Sequence, residues 1–304
     1  MRLNKVLEAI RAEGRNLLYT LPEYNPYYER LFNYAMIRNR YKRVFGKYPD
    51  LRNPKSFSEK VIYKQLYDRR PLLTQVADKI RVRDYVEAAI GAHYLPKLYQ
   101  VARTPEGIDW DALPAKFVVK TNHASGWNVI VQDKSRFDVP AACARLRPWL
   151  AGTFYRWTRE WAYRDIKPLV FVEEFLEGRG GDVPDDWKFF VYSGKAVYVQ
   201  VDVERFGDHQ RSVYNRDFTR VNVRYHFDNL AKEPVWPANV ESMFALAERL
   251  GRDFDFIRVD LYNIDGRIVF GELTNYPHAG LVPFKPHDID LEFGSHWQVP
   301  ARYA

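Results

Sequence analysis

The sequence predicts an α+β protein, with a helical amino-terminal region to about residue 110 followed by two α/β lobes built on antiparallel sheets. Three observations carry this expectation. Apolar residues recur at helical spacing through the first third; short strand-forming runs between turn residues follow; and Phe256 to Gly280 holds two such runs around Asn263-Ile264-Asp265-Gly266.

Taken in order, Asn4 to Leu18 has helical spacing with Val6, Ile10 and Leu17 as its apolar stripe. Tyr24 to Phe45 predicts a second helix with Tyr28, Leu31, Phe32, Ala35 and Met36 on one side. Arg38, Arg40, Lys42, Arg43 and Lys47 cluster towards its carboxyl end, where cations complement the helix dipole. Packing on the body of the protein is the favoured reading of this helix, with docking on an anionic membrane as the alternative. Gly46 and Pro49 end it. Ser56, followed three residues later by Glu59, predicts a capping box, and amphipathic helices continue to Val86.

Phe117-Val118-Val119 and Val129-Ile130-Val131 read as strands around the loop Lys120-Thr121-Asn122-His123-Ala124-Ser125-Gly126-Trp127-Asn128. Its small residues let backbone amides approach an anion, although it lacks the Gly-Lys-Ser/Thr helix start of a P-loop. Residues 140 to 164 read as helical, with Trp149 and Trp157 in the core. The apolar strand from Pro168 to Leu176 ends in paired acids, Glu173 and Glu174, and Gly178 to Pro184 is a connector. Asp186 to Tyr192 and Ala196 to Val201 form a hairpin turning at Ser193-Gly194, with Asp186 and Lys188 on one face as a possible ion pair. The segment from Asp202 to Arg224 reads as a loop carrying Arg205, His209, Arg211, Tyr214 and Arg216, and clustered arginines suit a carboxylate or a phosphate. Asn239 to Gly251 is an amphipathic helix with Met243, Leu246, Ala247 and Leu250 inward, and the tail from Pro283 folds back.

The hairpin at Asn263-Ile264-Asp265-Gly266 fixes a register. A type I turn with Gly266 in a G1 bulge places Arg258, Asp260, Glu272 and Thr274 on one face, with Arg258 opposite Glu272. The other face then reads Ile257, Val259, Leu261, Val269, Gly271 and Leu273, an apolar core side. A two-residue Asp-Gly turn would bury one carboxylate in that layer, so the bulged turn is the expectation. Carboxylates at diagonal positions on one face stand roughly 7–8 Å apart at the backbone, a span a hard divalent cation can bridge. A structural ion-pair cluster centred on Arg258 is the alternative.

Composition excludes several classes. Of 304 residues, 46% are hydrophobic and 28% charged, ordinary for a globular protein, and no apolar run approaches the ~20 residues of a membrane helix. A cytoplasmic location is expected, with the inner face of the membrane open to the basic helix. The lone cysteine, Cys143, excludes an intrachain disulfide and a cysteine-ligated zinc, and suits a helix packing position. The net charge of +7 comes with no nucleic-acid motif, so no nucleic-acid partner is expected. No Ser/His/Asp or Cys/His set suggests covalent catalysis.

The Arg258-Val259-Asp260 strand, followed by Gly271-Glu272-Leu273-Thr274 and the Pro277-His278-Ala279-Gly280 turn, resembles the metal-binding end of ATP-grasp enzymes. The resemblance is closer to the branch named after the teichuronopeptide biosynthesis protein TupA. Phe57 to Arg69 and Ala77 to Val86 resemble that branch's amino-terminal signature, and the likeness runs from about residue 50 to about residue 290. It implies an ATP-grasp fold: a helical region over 1–110, a first lobe over 111–192 and a second over 193–304 carrying the metal-binding hairpin. ATP and Mg²⁺ are the implied cofactors. By position, Asp260, Glu272 and Thr274 hold the metal, with Asn275 the alternative to Thr274, and Arg258 sits near the transferred phosphoryl group. Lys120 contacts nucleotide phosphate and base, and the loop carrying His123, Ser125 and Gly126 closes over the phosphates. Glu173, Glu174, Phe175 and Leu176 form the adenine hinge, Lys188 meets phosphate and Asp186 the ribose. Arg205, His209 and Arg211 fall on the substrate or γ-phosphate side.

The implied activity is a carboxylate–amine ligase working through an acyl phosphate in surface polysaccharide or cell-wall polymer biosynthesis. Its partners are a carboxylated sugar or peptide-like acceptor and an amine co-substrate. A kinase acting on a hydroxyl, and a non-catalytic partner of a glycosyltransferase complex docked through the basic amino-terminal helix, remain open as alternatives.

Overall fold

A computed structural model describes residues 26–178, 183–203, 207–301 and 303. The helix expected over Asn4 to Leu18 and the candidate Arg205 lie outside the described residues. The chain enters through α1 (Pro26–Phe45), α2 (Phe57–Tyr67), α3 (Pro71–Ala77) and α4 (Val82–Ile90). The capping box forms as expected: the Ser56 side chain accepts from the Glu59 amide at 3.2 Å, and the Glu59 carboxylate accepts from the Ser56 amide at 3.2 Å.

Two antiparallel sheets follow. The first contains β1 (Leu98–Ala102), β2 (Phe117–Thr121), β3 (Asn128–Val131) and β4 (Val170–Glu174) in the order β1-β4-β2-β3. Helices α5 (Val139–Ala151) and α6 (Phe154–Thr158) fill the connection between β3 and β4. The second sheet contains β5 (Asp186–Tyr192), β6 (Lys195–Val203), β7 (Gln210–Asn215), β9 (Phe256–Ile264) and β10 (Arg267–Thr274), with β8 (Arg224–Tyr225) outside it and the order β10-β9-β5-β6-β7. Short β8 pairs with β11 (Phe284–Lys285), α7 (Val240–Gly251) precedes β9, and α8 (Asp288–Ser295) comes last.

This topology moves both expected boundaries. β1 already belongs to the first sheet, so the helical region ends before residue 110. β5 and β6 pair along their length, so the change of sheet falls between Glu174 and Asp186 and not at 192. The segment after Asp202, read as a loop because of its polar residues, contains strand β7; Arg211 and Val213 sit at paired positions opposite Asp202 and Gln200. Trp157, expected in the core, is 59% exposed because α6 is one turn long and its inward position goes to Tyr155.

One face of the second sheet packs on α7, with the rings of Phe189 and Phe244 edge-on at 4.8 Å. The other face is divided. At its lower end Phe57 of α2 meets Phe190, Phe256, Phe284 and Phe293, which fastens the helical region to the sheet. Lys64, wholly buried on the same helix, donates to Asp255 at 2.9 Å and to the Phe256 carbonyl at 2.6 Å. The upper end of that face carries charge.

The β9–β10 hairpin corrects the expected turn. Asp265 and Gly266 have φ of 51° and 93°, the positive pair that defines a two-residue type I′ turn. Arg267 therefore pairs with Ile264, and the odd residue is absorbed further down, between Phe270 and Glu272. Gly271 is the residue that permits this, since a Cβ there would lie 3.0 Å from the Asp260 carbonyl and 3.1 Å from the Tyr262 ring. The bulge changes the face of every residue before it. Ile268 and Phe270 join the face of Val259 and Leu261, whereas Val269, expected there and likewise fully buried, pairs with Tyr262 on the other side. Arg258, Asp260, Glu272 and Thr274 do share one face, but Asp260 is opposite Glu272 and Arg258 opposite Thr274.

Candidate active site

Between the two sheets lies a cleft of about 260 Å³. Val118, Ile130 and Phe171 of the first sheet and Leu273 of the second give it apolar walls. Lys120 and the loop residues Ser125 and Gly126 border it from above, Glu173, Glu174, Phe175 and Leu176 from the side, and Asp186, Lys188, Asp260 and Glu272 from below. These candidate residues, drawn from segments far apart in the chain, line one cleft.

The floor owes its geometry to strand register. Glu272, Asp260 and Lys188 stand side by side on β10, β9 and β5, and Asp186, Asp202 and Arg211 occupy the next paired row on β5, β6 and β7. Lys188 is a hub, with its Nζ 3.1 Å from Asp186, 3.4 Å from Asp260 and 3.5 Å from Asp202. Burial alone would push the Asp202 carboxyl up, but the Arg211 fork, Lys188 and Arg258 hold it well below the usual carboxylate range.

Arg258 lies beneath the hairpin carboxylates. It donates to both Asp260 oxygens at 2.7 Å, and its Nη2 also reaches Glu272 Oε1 and Thr274 Oγ1 at 3.0 Å each. Burial disfavours that charge, yet Asp260 and Glu272 hold the guanidinium well above its ordinary range. Burial would likewise raise Glu272, but Arg258, Lys79 and Lys188 outweigh it and hold the carboxyl down at about 2.

Mg²⁺ fits this arrangement. A guanidinium nitrogen already stands within reach of both carboxylates, so the pair is built to share one cation. Mg²⁺ characteristically takes one or two carboxylates and completes its shell with phosphate oxygens and water. Among the described residues no group of three or more His, Cys, Asp or Glu is placed to hold a metal alone. Thr274 donates its hydroxyl to Glu272 at 3.0 Å and so supports that ligand; Asn275 is turned away, donating to the Leu73 carbonyl at 3.0 Å.

Several candidate side chains are engaged by partners elsewhere in the fold. His123 is buried off the cleft, its Nε2 3.1 Å from the Trp149 carbonyl and its ring edge-on to Trp127, because strand β2 ends at Thr121 and the chain turns inward. The Glu174 carboxylate is taken by Arg267 at 2.7 and 2.9 Å, a bridge from the hairpin to the hinge strand, and by the Lys97 amide at 3.0 Å. Arg211 is committed to Asp202 at 2.6 and 2.8 Å, the Tyr225 carbonyl at 3.3 Å and His278 Nε2 at 3.0 Å. It anchors the floor and has little left with which to clamp an incoming carboxylate. His209 reaches Asp202 at 3.5 Å and stacks on Phe227 at 3.7 Å.

Sequence reasoning passed over residues that the fold brings in. Lys79 and Arg83, within the Ala77 to Val86 run, line the cleft, as does Tyr163. The Lys79 ammonium donates to the Ala124 carbonyl in the loop after β2, and burial pushes its pKa down. The signal was in Asp78 and Asn122: Asn122 donates to Asp78 at 3.0 Å, accepts from the Leu169 amide at 2.7 Å, and so ties the loop to the start of α4.

The cleft between the two antiparallel sheets is thus apolar on its walls, cationic above and carboxylate-bearing below. The model of the TupA-like ATP-grasp family matches residues 59–298, and the chain belongs to that family. Among solved structures, D-alanine–D-alanine ligase from Bacillus anthracis complexed with ATP is 14% identical, with 67% of this chain and 56% of that chain covered and a TM-score of 0.41. ATP-grasp ligase PsnB with its minimal precursor is 14% identical, covering 68% and 54% at a TM-score of 0.39. N5-carboxyaminoimidazole ribonucleotide synthetase from Thermus thermophilus is 11% identical, covering 69% and 48% at 0.40. The chain thus spans about half the length of these solved proteins. No curated protein matches it. Among the described residues no helix is long and apolar enough to cross a membrane.

Proposed function

We propose that this protein is an ATP-dependent carboxylate–amine ligase, working through an acyl phosphate in the biosynthesis of a surface polysaccharide or cell-wall polymer. The observation that carries the reading is the floor of the cleft, where Asp260 and Glu272 share one cation beside Lys188. Phosphoryl transfer asks for that combination: positioning and charge stabilisation, without covalent chemistry by the protein.

In this reading Val118, Ile130, Phe171 and Leu273 enclose the base, and Lys120 and Lys79 face the phosphates from above. Lys188 meets the transferring phosphoryl group, its ammonium held in place by three carboxylates. Asp260 and Glu272 hold Mg²⁺, which supplies charge neutralisation of the triphosphate when bound. Arg258 aligns both carboxylates and favours their charged forms, holding Glu272 down while burial still pushes Asp260 up. The acceptor carboxylate, on a sugar or a peptide-like chain, attacks the γ-phosphorus and ADP leaves; the amine then attacks the acyl carbon, phosphate leaves, and the amine releases one proton. The exposed cations Lys42, Arg43 and Lys47 at the end of α1 supply a face for an anionic membrane or a glycosyltransferase complex.

Hydroxylamine trapping tests this. Protein incubated with Mg²⁺, ATP, hydroxylamine and a panel of uronic acids and acidic peptides yields a hydroxamate and ADP in equal amounts. Phosphate left on a hydroxyl of the acceptor would replace the ligase reading with a kinase.

A further inference from the structure

Arg159 is a buried cation without an acceptor. It is 6% exposed, its Nε is buried with no hydrogen-bond partner, and among the described residues no carboxylate forms an ion pair with it. The guanidinium lies 4.9 Å from the Phe32 ring centre and 5.3 Å from that of Tyr155. Aromatic faces attract a cation, but they do not replace the hydrogen bonds a desolvated guanidinium gives up.

The surroundings sharpen the point. Tyr155 donates to Glu29 at 2.5 Å, and Arg164 holds the other Glu29 oxygen at 3.0 Å, so that carboxylate is already committed. Asn33, 5% exposed, donates to the Tyr155 hydroxyl at 2.6 Å and leaves its own Oδ1 buried without a donor. An unmet donor and an unmet acceptor thus flank one tyrosine. The backbone adds a third sign, because Arg159 closes α6 at φ 62° and ψ 20°, where glycine or asparagine caps a helix with less strain. An arginine at that position is justified by its side chain.

We infer that Arg159 anchors an oxyanion, a carboxylate or a phosphate, on a ligand that also offers a hydroxyl to Asn33. The chain runs from this site to the cleft: Glu160, the next residue, feels the charge of Glu272, and Tyr163 lines the cleft itself. As an oxyanion site the assignment stands alone; as the anchor of the acceptor substrate it rests on the ligase reading.

The test is calorimetric titration of the full chain, without nucleotide, against D-glucuronate, inorganic phosphate and D-glucose, for wild type, Arg159→Gln and Arg159→Met. Wild type binds glucuronate or phosphate, and the stronger of the two identifies the ligand's charge; glucose does not bind. Both variants lose at least about tenfold in affinity for that anion. Without ligand, Arg159→Met melts at or above the wild-type temperature, because an unpaired buried charge has been removed. Unchanged anion affinity in the variants, no anion binding by wild type, or a marked fall in melting temperature for Arg159→Met would overturn the site. Mg²⁺-dependent ATP binding, measured on the same three proteins, stays the same in all; its absence from wild type would count against the ligase reading and leave the oxyanion site standing.

Discussion

Asp260 stands directly across the hairpin from Glu272, and the bulge at Gly271 is what sets them there. The type I′ turn alone would place residues 260 and 272 out of step and send one carboxylate into the apolar layer. Filling the bulge should therefore disable the site. Gly271→Val forces a branched side chain to within about 3 Å of the Asp260 carbonyl and the Tyr262 ring, and overpacking of this kind costs about 1–3 kcal/mol. Denaturant unfolding reads the loss of stability, and Mg²⁺-dependent ATP binding should disappear with it.

Glu272→Gln separates chemistry from folding. Glu272 contacts Arg258 and Thr274 at the cleft edge, where its side chain is 42% exposed, so the amide fits with little structural change. Turnover should fall about a hundredfold or more, as for loss of one preorganised charged group, with unfolding nearly unaltered. Hydroxamate formation measured alongside thermal unfolding checks both halves.

Glu160 predicts a pH effect of defined sign. Burial pushes its carboxyl up to about 8, with Arg40 opposing and Glu272 adding to the rise. A folded value above the unfolded one means that the native state holds the proton more tightly. Stability is then greatest below the unfolded value of about 4.3 and declines as pH rises towards about 8. Glu160→Gln should melt above wild type at pH 8 and level with it at pH 4, in thermal scans across that range.

His278 acts in the opposite sense. Burial, together with Arg211 and Arg258, pushes its imidazole down to about 2, so it stays neutral in the native state while the unfolded chain gains a proton below about 6.5. Its contribution to stability is lost as pH falls from about 6.5 towards 2. His278→Gln should therefore flatten the acid limb of the stability profile, which urea titrations at stepped pH would show.

Lys64 is the clasp between the helical region and the second sheet. Removing this buried cation takes a donor from the Phe256 carbonyl and leaves Asp255 to Arg70, Trp297 and Tyr303 alone, a loss of about 3 kcal/mol. Lys64→Ala should lower the unfolding midpoint accordingly, with proteolysis first opening the segment around Tyr67.

Much of this was legible in the residues. The capping box at Ser56 and Glu59, the four polar positions sharing a face in β9 and β10, and the strand–loop–strand around Asn122 follow from local chemistry. What escaped depends on distance. The turn was misjudged because Gly271 was read as a strand residue, when only the approach of the Asp260 carbonyl reveals it as a bulge. Arg211 looked free because its partners, Asp202, Tyr225 and His278, are recruited from three separate segments. Lys79 and Arg83 do not stand out in the sequence because nothing in a helix says which face a distant sheet will cover.

The most direct test of the account is calorimetric binding of ATP with and without Mg²⁺ to wild type and to the Asp260→Asn, Glu272→Gln double variant. Wild type should bind ATP far more tightly with Mg²⁺ present, and the double variant should lose that increment while keeping residual metal-free binding. Equal binding by both proteins, or none by wild type, would contradict the shared-cation site.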